Sequence, residues 1–299
     1  RVSYIIIDGG ELHVGTINVP RSSFPFTLTF VGDRASPHIP LVGAKGMAII
    51  GGTFEMHGVY EESEQDPIKY VKTTVSPGER RMNLTTTAKF WLVGSRVAVT
   101  SVGRNISQAE FRTIASTSTQ ILETHTSLEF DEPLLHTHTA KEDQHQGHTN
   151  NKLPLGAEVV LVSRLLTVQG DESSASTAFG AHIFITSGDG KASHVQLIGV
   201  NFRNCGKMGH FDYDGANSAL FFGHSPSMKW CSIENSFGHG IELRNVRDVV
   251  FQNNYVVVTN GHGIFCVGDV SGSAFVDNFV AASLPLGSTT TQTANFLFS

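Results

Sequence analysis

Residues 228–280 repeat themselves, and that repetition limits what the chain can fold into more than any other feature. Gly238-His239-Gly240-Ile241 returns 23 residues later as Gly261-His262-Gly263-Ile264. Ile233-Glu234-Asn235 is echoed by Phe251-Gln252-Asn253-Asn254 and by Phe275-Val276-Asp277-Asn278, with Asn spacings of 19 and 24. The period is therefore loose, near 20 residues. Its runs are short and alternate as a half-buried strand does, Val249 and Phe251 against Val250 and Gln252. One such unit cannot bury its own apolar side, whereas stacked units roof one another. Asparagine tolerates the left-handed backbone of a tight corner, and its amide can bond the next unit's asparagine in a ladder. The pattern predicts an all-β chain with a right-handed parallel β-helix. The alternative is a β-sandwich using Asn260-Gly261 as a hairpin turn, which leaves the repeat phase unexplained.

The N-terminal region has a related repeat. Tyr4–Ile7 leads through Asp8-Gly9-Gly10 into Glu11-Leu12-His13, and Gly46–Ile50 leads through Gly51-Gly52 into Thr53-Phe54-Glu55-Met56-His57. Paired glycines between short strands mark corners or bulges. Two polar stretches interrupt the β pattern and read as exposed loops: 59–88, with Pro67 and Pro77, and 136–152, with His136, His138, His145 and His148. His-x-His on a strand puts both rings on one face. No carboxylate or cysteine completes a ligand set at fixed spacing, so no metal site is expected there.

Several phrases resemble a known family in the order that family shows. Gly43-Ala44-Lys45-Gly46 with Ile50-Gly51-Gly52-Thr53-Phe54-Glu55-Met56-His57-Gly58 is similar to the signature of the eight-glycine (G8) domain, found in fibrocystin-like proteins and in cell-surface hyaluronidases of the cell-migration-inducing type. Trp91–Ser101 with Gln108-Ala109-Glu110, Leu128–His138, Ala157–Arg164 and Phe179–Ile183 resemble later elements of the same family. The resemblance implies a partial G8 β domain over residues 1–139, followed by β-helix repeats over 140–299 that break off at the C-terminal end. It also implies an extracellular or cell-surface location, within a larger chain whose other domains, or neighbouring subunits, are its partners.

Composition excludes some functions. The net charge is −6, and basic residues do not cluster beyond Arg80-Arg81, so nucleic acid is not an expected partner. No apolar run reaches the roughly 18 residues of a membrane span. Three cysteines, Cys205, Cys231 and Cys266, allow at most one internal disulfide and read as buried fillers of β-coils. Asn83 and Asn105 open N-glycosylation sequons.

The candidates for chemistry are few. Asp212 and Asp214 fall on one face if their segment is extended, and paired carboxylates serve glycoside hydrolysis or hold Ca²⁺. They can equally cap turns. His239 and His262 share a repeat position and can stack, either to shuttle protons or as a structural ladder. Arg203 and Lys207 are cations that could hold a glycan's carboxylates. The hyaluronidase branch carries an Arg-Tyr-Pro-Ile-His-Phe-His run after its Asn-Cys-Gly-Gln element. Here Asn204-Cys205-Gly206-Lys207 is followed instead by Ala216–Gly223, with His224 one position out of register. That departure favours a non-catalytic, structural or adhesive extracellular module that contacts glycan. The competing expectation is a polysaccharide-cleaving enzyme using Asp212, Asp214, His224, His239 and His262. No cofactor is implied, Ca²⁺ excepted.

Overall fold

The computed structural model describes residues 1–40, 42–59, 67–88, 91–102, 105–120, 125–140, 156–208, 218–223, 226–285 and 293–298. The chain separates into two units. One comprises Arg1–Tyr60 and Arg164–Ser299, the other Glu61–Ser163.

The first unit is a parallel β-helix with three sheets. The first sheet stacks Tyr4–Asp8, Gly46–Ile50, His182–Thr186, Leu220–Phe222, Ile241–Arg244, Ile264–Val267 and Phe296–Phe298. The second stacks Glu11–Val14, Thr53–His57, His194–Ile198, Pro226–Lys229, Val250–Gln252 and Ala274–Val276. The third stacks Phe26–Phe30, Leu166–Gly170, Val200–Arg203, Ser232–Ser236, Tyr255–Asn260 and Phe279–Leu284.

Register explains why these sequences stack. Alternate residues point inward and meet their equivalents in adjacent coils. Met47, Ile183, Leu220, Ile241 and Ile264 form one such column, and Leu28, Val168, Phe202, Ile233, Val256 and Val280 another. Most of these side chains are fully buried, each stabilising the fold by roughly 1.5–3 kcal/mol. Val249 and Phe251 point in while Val250 is 38% exposed, as the alternation predicts. All three cysteines are free and buried.

The corners repeat by position rather than by residue type. Gly199, Trp230, Asn253 and Asp277 each follow the paired ends of successive second-sheet strands, and all have positive φ, from 53° to 62°. Two asparagine ladders form. Asn235 Nδ2 donates to Asn204 Oδ1 (2.8 Å), and Asn254 Nδ2 donates to Asn278 Oδ1 (2.9 Å). Asn235 and Asn254 thus belong to different corners, which corrects the period. The advance per coil is 23–24 residues over 231–278 and 31 from Asn204 to Asn235, not a constant value near 20.

The second unit is a six-stranded antiparallel sheet made of Ile68–Tyr70, Arg81–Asn83, Arg96–Val99, Glu110–Gln120, His125–Phe130 and Glu158–Leu161. Its core includes Val71, Met82, Leu84, Trp91, Ile114, Leu128 and Val159. Two loop readings are corrected here. Residues 67–88 supply two strands and buried core positions, and His138 is fully buried. His138 Nε2 lies 2.7 Å from Glu110 Oε1, and its Nδ1 lies 2.9 Å from the Thr100 carbonyl oxygen. Glu110 also pairs with Arg112. His145 and His148 lie outside the described residues.

A division of the chain at residue 140 is not the division that the contacts make. Residues 4–57 supply the first coils of the same β-helix that residues 166–298 continue. Thr53–His57 and Leu166–Gly170 belong to one coil, and residues 61–163 are an excursion from it.

Candidate functional site

His239 and His262 stand at equivalent positions just before the first-sheet strands of successive coils. Their rings stack, with centroids 5.0 Å apart and planes 17° apart, and Phe265 lies 5.0 and 5.1 Å from them. His239 Nδ1 accepts the backbone N–H of His262 at 2.9 Å, and His262 Nδ1 accepts that of Ala294 at 3.0 Å. Gly261 permits this approach, because a Cβ there would meet His239 Nδ1 at 2.6 Å. Both rings therefore carry their proton on Nε2 and use Nδ1 to bind the next coil. Burial pushes His239 down to about 4, with His262 and Arg244 adding to the effect, and burial also lowers His262. Below them Glu242, 1% exposed, is bonded to Arg244 (2.6 Å), and burial raises its carboxyl. Two neutral imidazoles with a spent acceptor nitrogen make a poor proton shuttle and a sound ladder.

Neither Arg203 nor Lys207 is a partner of this pair. Arg203 Nε lies 3.8 Å from the buried Glu234 carboxylate, which also accepts Asn201 Nδ2 at 2.9 Å. Lys207 is fully buried with its ammonium 5.1 Å from the Phe179 ring centroid, which corrects the expectation of an exposed glycan-binding cation. Asp212, Asp214 and His224 lie outside the described residues. Of the sequon asparagines, Asn105 is exposed at the start of a short 3₁₀ turn, and Asn83 is half-buried in a strand.

A second group, which the sequence reading did not single out, lies on the outer side of the second sheet. His13 Nδ1 is 3.0 Å from Glu55 Oε2, and His194 Nε2 is 3.2 Å from Glu55 Oε1. His57 Nε2 is 3.7 Å from Glu55 Oε2, and His13 Nε2 is 3.2 Å from Glu11 Oε2. Hydrogen bonds to Glu11 and then Glu55 raise His13. Burial lowers His57 against the pull of Glu55. Register builds the group: His13 is directly opposite Glu55, and Glu11 and His194 flank Thr53 on its two sides. The available signal was the repeated Gly-Gly phrase, whose two copies are successive coils of this sheet.

Comparison with known proteins fits this architecture. A family model described as a right-handed β-helix region matches residues 159–297, and a G8 domain model matches residues 1–65. The G8 match thus falls on the segment that forms the first coils. Fibrocystin-L of Mus musculus is 26% identical over 294 residues, covering 91% of this chain and 7% of its own length. Fibrocystin of Mus musculus is 25% identical over 297 residues, covering 88% and 7%. The tailspike protein gp49 from Pseudomonas phage LKA1 matches 97% of this chain and 44% of its own, at 13% identity and a TM-score of 0.26. This chain spans about 7% of the length of the two fibrocystins. Among the described residues no helix is long and apolar enough to cross a membrane. The chain carries a G8 domain and a right-handed β-helix region, and over most of its length it is similar to the fibrocystins.

Proposed function

We propose that this chain is a non-catalytic structural module of a larger extracellular or cell-surface protein, a stack of β-coils that presents long outer faces for adhesion and glycan contact. The observation that carries this reading is the use of His239 and His262. The two residues best placed to catalyse instead cap the backbone of the next coil and stay neutral at physiological pH. Similarity to fibrocystins across nearly the whole chain, at only 7% of their length, supports a module reading. Glu242 supports it too, since a carboxylate 1% exposed and held by Arg244 is not offered to a polymer.

The test is incubation of the folded protein with size-defined hyaluronan and other acidic polysaccharides, with and without Ca²⁺. The expected outcome is no change in polymer length. Shortening by the unmodified chain that is lost in Asp212→Asn or His262→Ala would replace this reading with a polysaccharide-cleaving enzyme.

A further inference from the structure

We propose that His13, Glu55, His57 and His194 bind a divalent transition-type cation of the Zn²⁺ kind on the outer face of the second sheet. His57 is the first reason. It is 1% exposed, and neither ring nitrogen has a hydrogen-bond partner, yet Nε2 points at Glu55 Oε2. Buried polar groups are normally satisfied, and an exception calls for a missing water or ion.

The spacing is the second reason. Donors each about 2.1 Å from a tetrahedral ion stand roughly 3.4 Å apart. Three imidazole nitrogens lie near that distance from a carboxylate oxygen, His13 Nδ1 at 3.0 Å and His57 Nε2 at 3.7 Å from Glu55 Oε2 and His194 Nε2 at 3.2 Å from Glu55 Oε1. Glu11 adds a third. It faces the far nitrogen of His13, the place where an outer carboxylate orients a metal-bound imidazole.

Donor chemistry selects the ion. Three imidazoles and one carboxylate suit Zn²⁺ or its neighbours, whereas Ca²⁺ wants six to eight oxygens. Access is open, since the His13 and His194 side chains are 37% and 63% exposed above a buried His57 floor. In the arrangement described, the imidazoles and carboxylate bond one another and no set of donors yet closes on a common point. Entry of an ion would exchange those hydrogen bonds, and the protons in them, for coordination, through rotation of exposed side chains.

The experiment is titration of the metal-free protein with Zn²⁺ by calorimetry and with Co²⁺ by visible absorption, beside Ca²⁺. Expected are one Zn²⁺ site per chain, a Co²⁺ ligand-field band and proton release that grows as pH falls. His13→Ala and His194→Ala, both at exposed positions, should each weaken Zn²⁺ binding by at least about tenfold, and Glu11→Gln by about tenfold. No heat and no band would overturn the proposal. So would Zn²⁺ binding that both histidine variants retain, or Ca²⁺ binding of equal strength.

Discussion

His239 and His262 differ from His13 and His194 in what their ring nitrogens face. The first pair turn Nδ1 to backbone amides of the following coil, half-buried among aromatic rings. The second pair turn nitrogens to carboxylates at a solvent-facing surface. An amide donor favours the neutral ring, and a carboxylate favours the protonated or metal-bound ring. Position in a coil, not residue type, decides which histidines hold the backbone and which remain open to a proton or an ion.

The largest expected effect breaks the ladder by acid. His239 falls from 6.5 to about 4 on folding, so the stability it contributes is complete above pH 6.5 and lost as pH falls toward 4. At about 1.4 kcal/mol per pKa unit this amounts to about 3 kcal/mol. Denaturant unfolding at pH 7 and pH 4.5, with His239→Gln as the control, measures it, and equal pH sensitivity in both proteins would refute the assignment.

Asn254 asks whether histidine is special as a ladder residue. It is fully buried, donates to the Met228 carbonyl and to Asn278 Oδ1, and accepts the Cys231 N–H. Asn254→Ala should cost about 2–3 kcal/mol in chemical denaturation, since it strands buried partners. His239→Ala strands one amide and should cost about 1–2 kcal/mol. If His239→Ala costs more than Asn254→Ala, ring stacking rather than amide capping dominates the ladder.

The smallest effect belongs to the other group. His13→Ala in metal-free protein should leave the denaturation midpoint nearly unchanged, because exposed ion pairs contribute little. His13 and His239 also titrate in opposite directions. His13 is raised, so its contribution is present below 6.5 and disappears as pH rises through its folded value. NMR titration of the histidine Hε1 signals should place His13 above 6.5 and His239 near 4. The same midpoint for both would erase the distinction.

Much of the β-helix was legible because its unit recurs within residues 228–280, where inward residues alternate and the Gly-His-Gly phrase marks one point in each coil. The true advance was not legible from asparagines alone. The corner after each second-sheet strand accepts Gly199, Trp230, Asn253 or Asp277, so residue type does not report the corner. The inserted unit was misread because its strands Ile68–Tyr70 and Arg81–Asn83 are three residues each, too short to show alternation. The His13 group was hidden by distance along the chain. Only parallel register brings His194 and Glu11 to the two sides of Thr53.

The interrupted second coil has a consequence for the order of assembly. Among the described strands Phe26–Phe30 pairs along its length with Leu166–Gly170 alone, and the buried Lys45 ammonium finds Asp171 at 2.8 Å, 126 residues further along. As the chain is made from its N-terminus, the first two coils wait, open on one side, while residues 61–163 are synthesised. Those residues hold a sheet and core of their own and can settle before the coil closes. Closure around residue 166 then completes the second coil, and each later coil, needing only its predecessor, can be laid on it in turn.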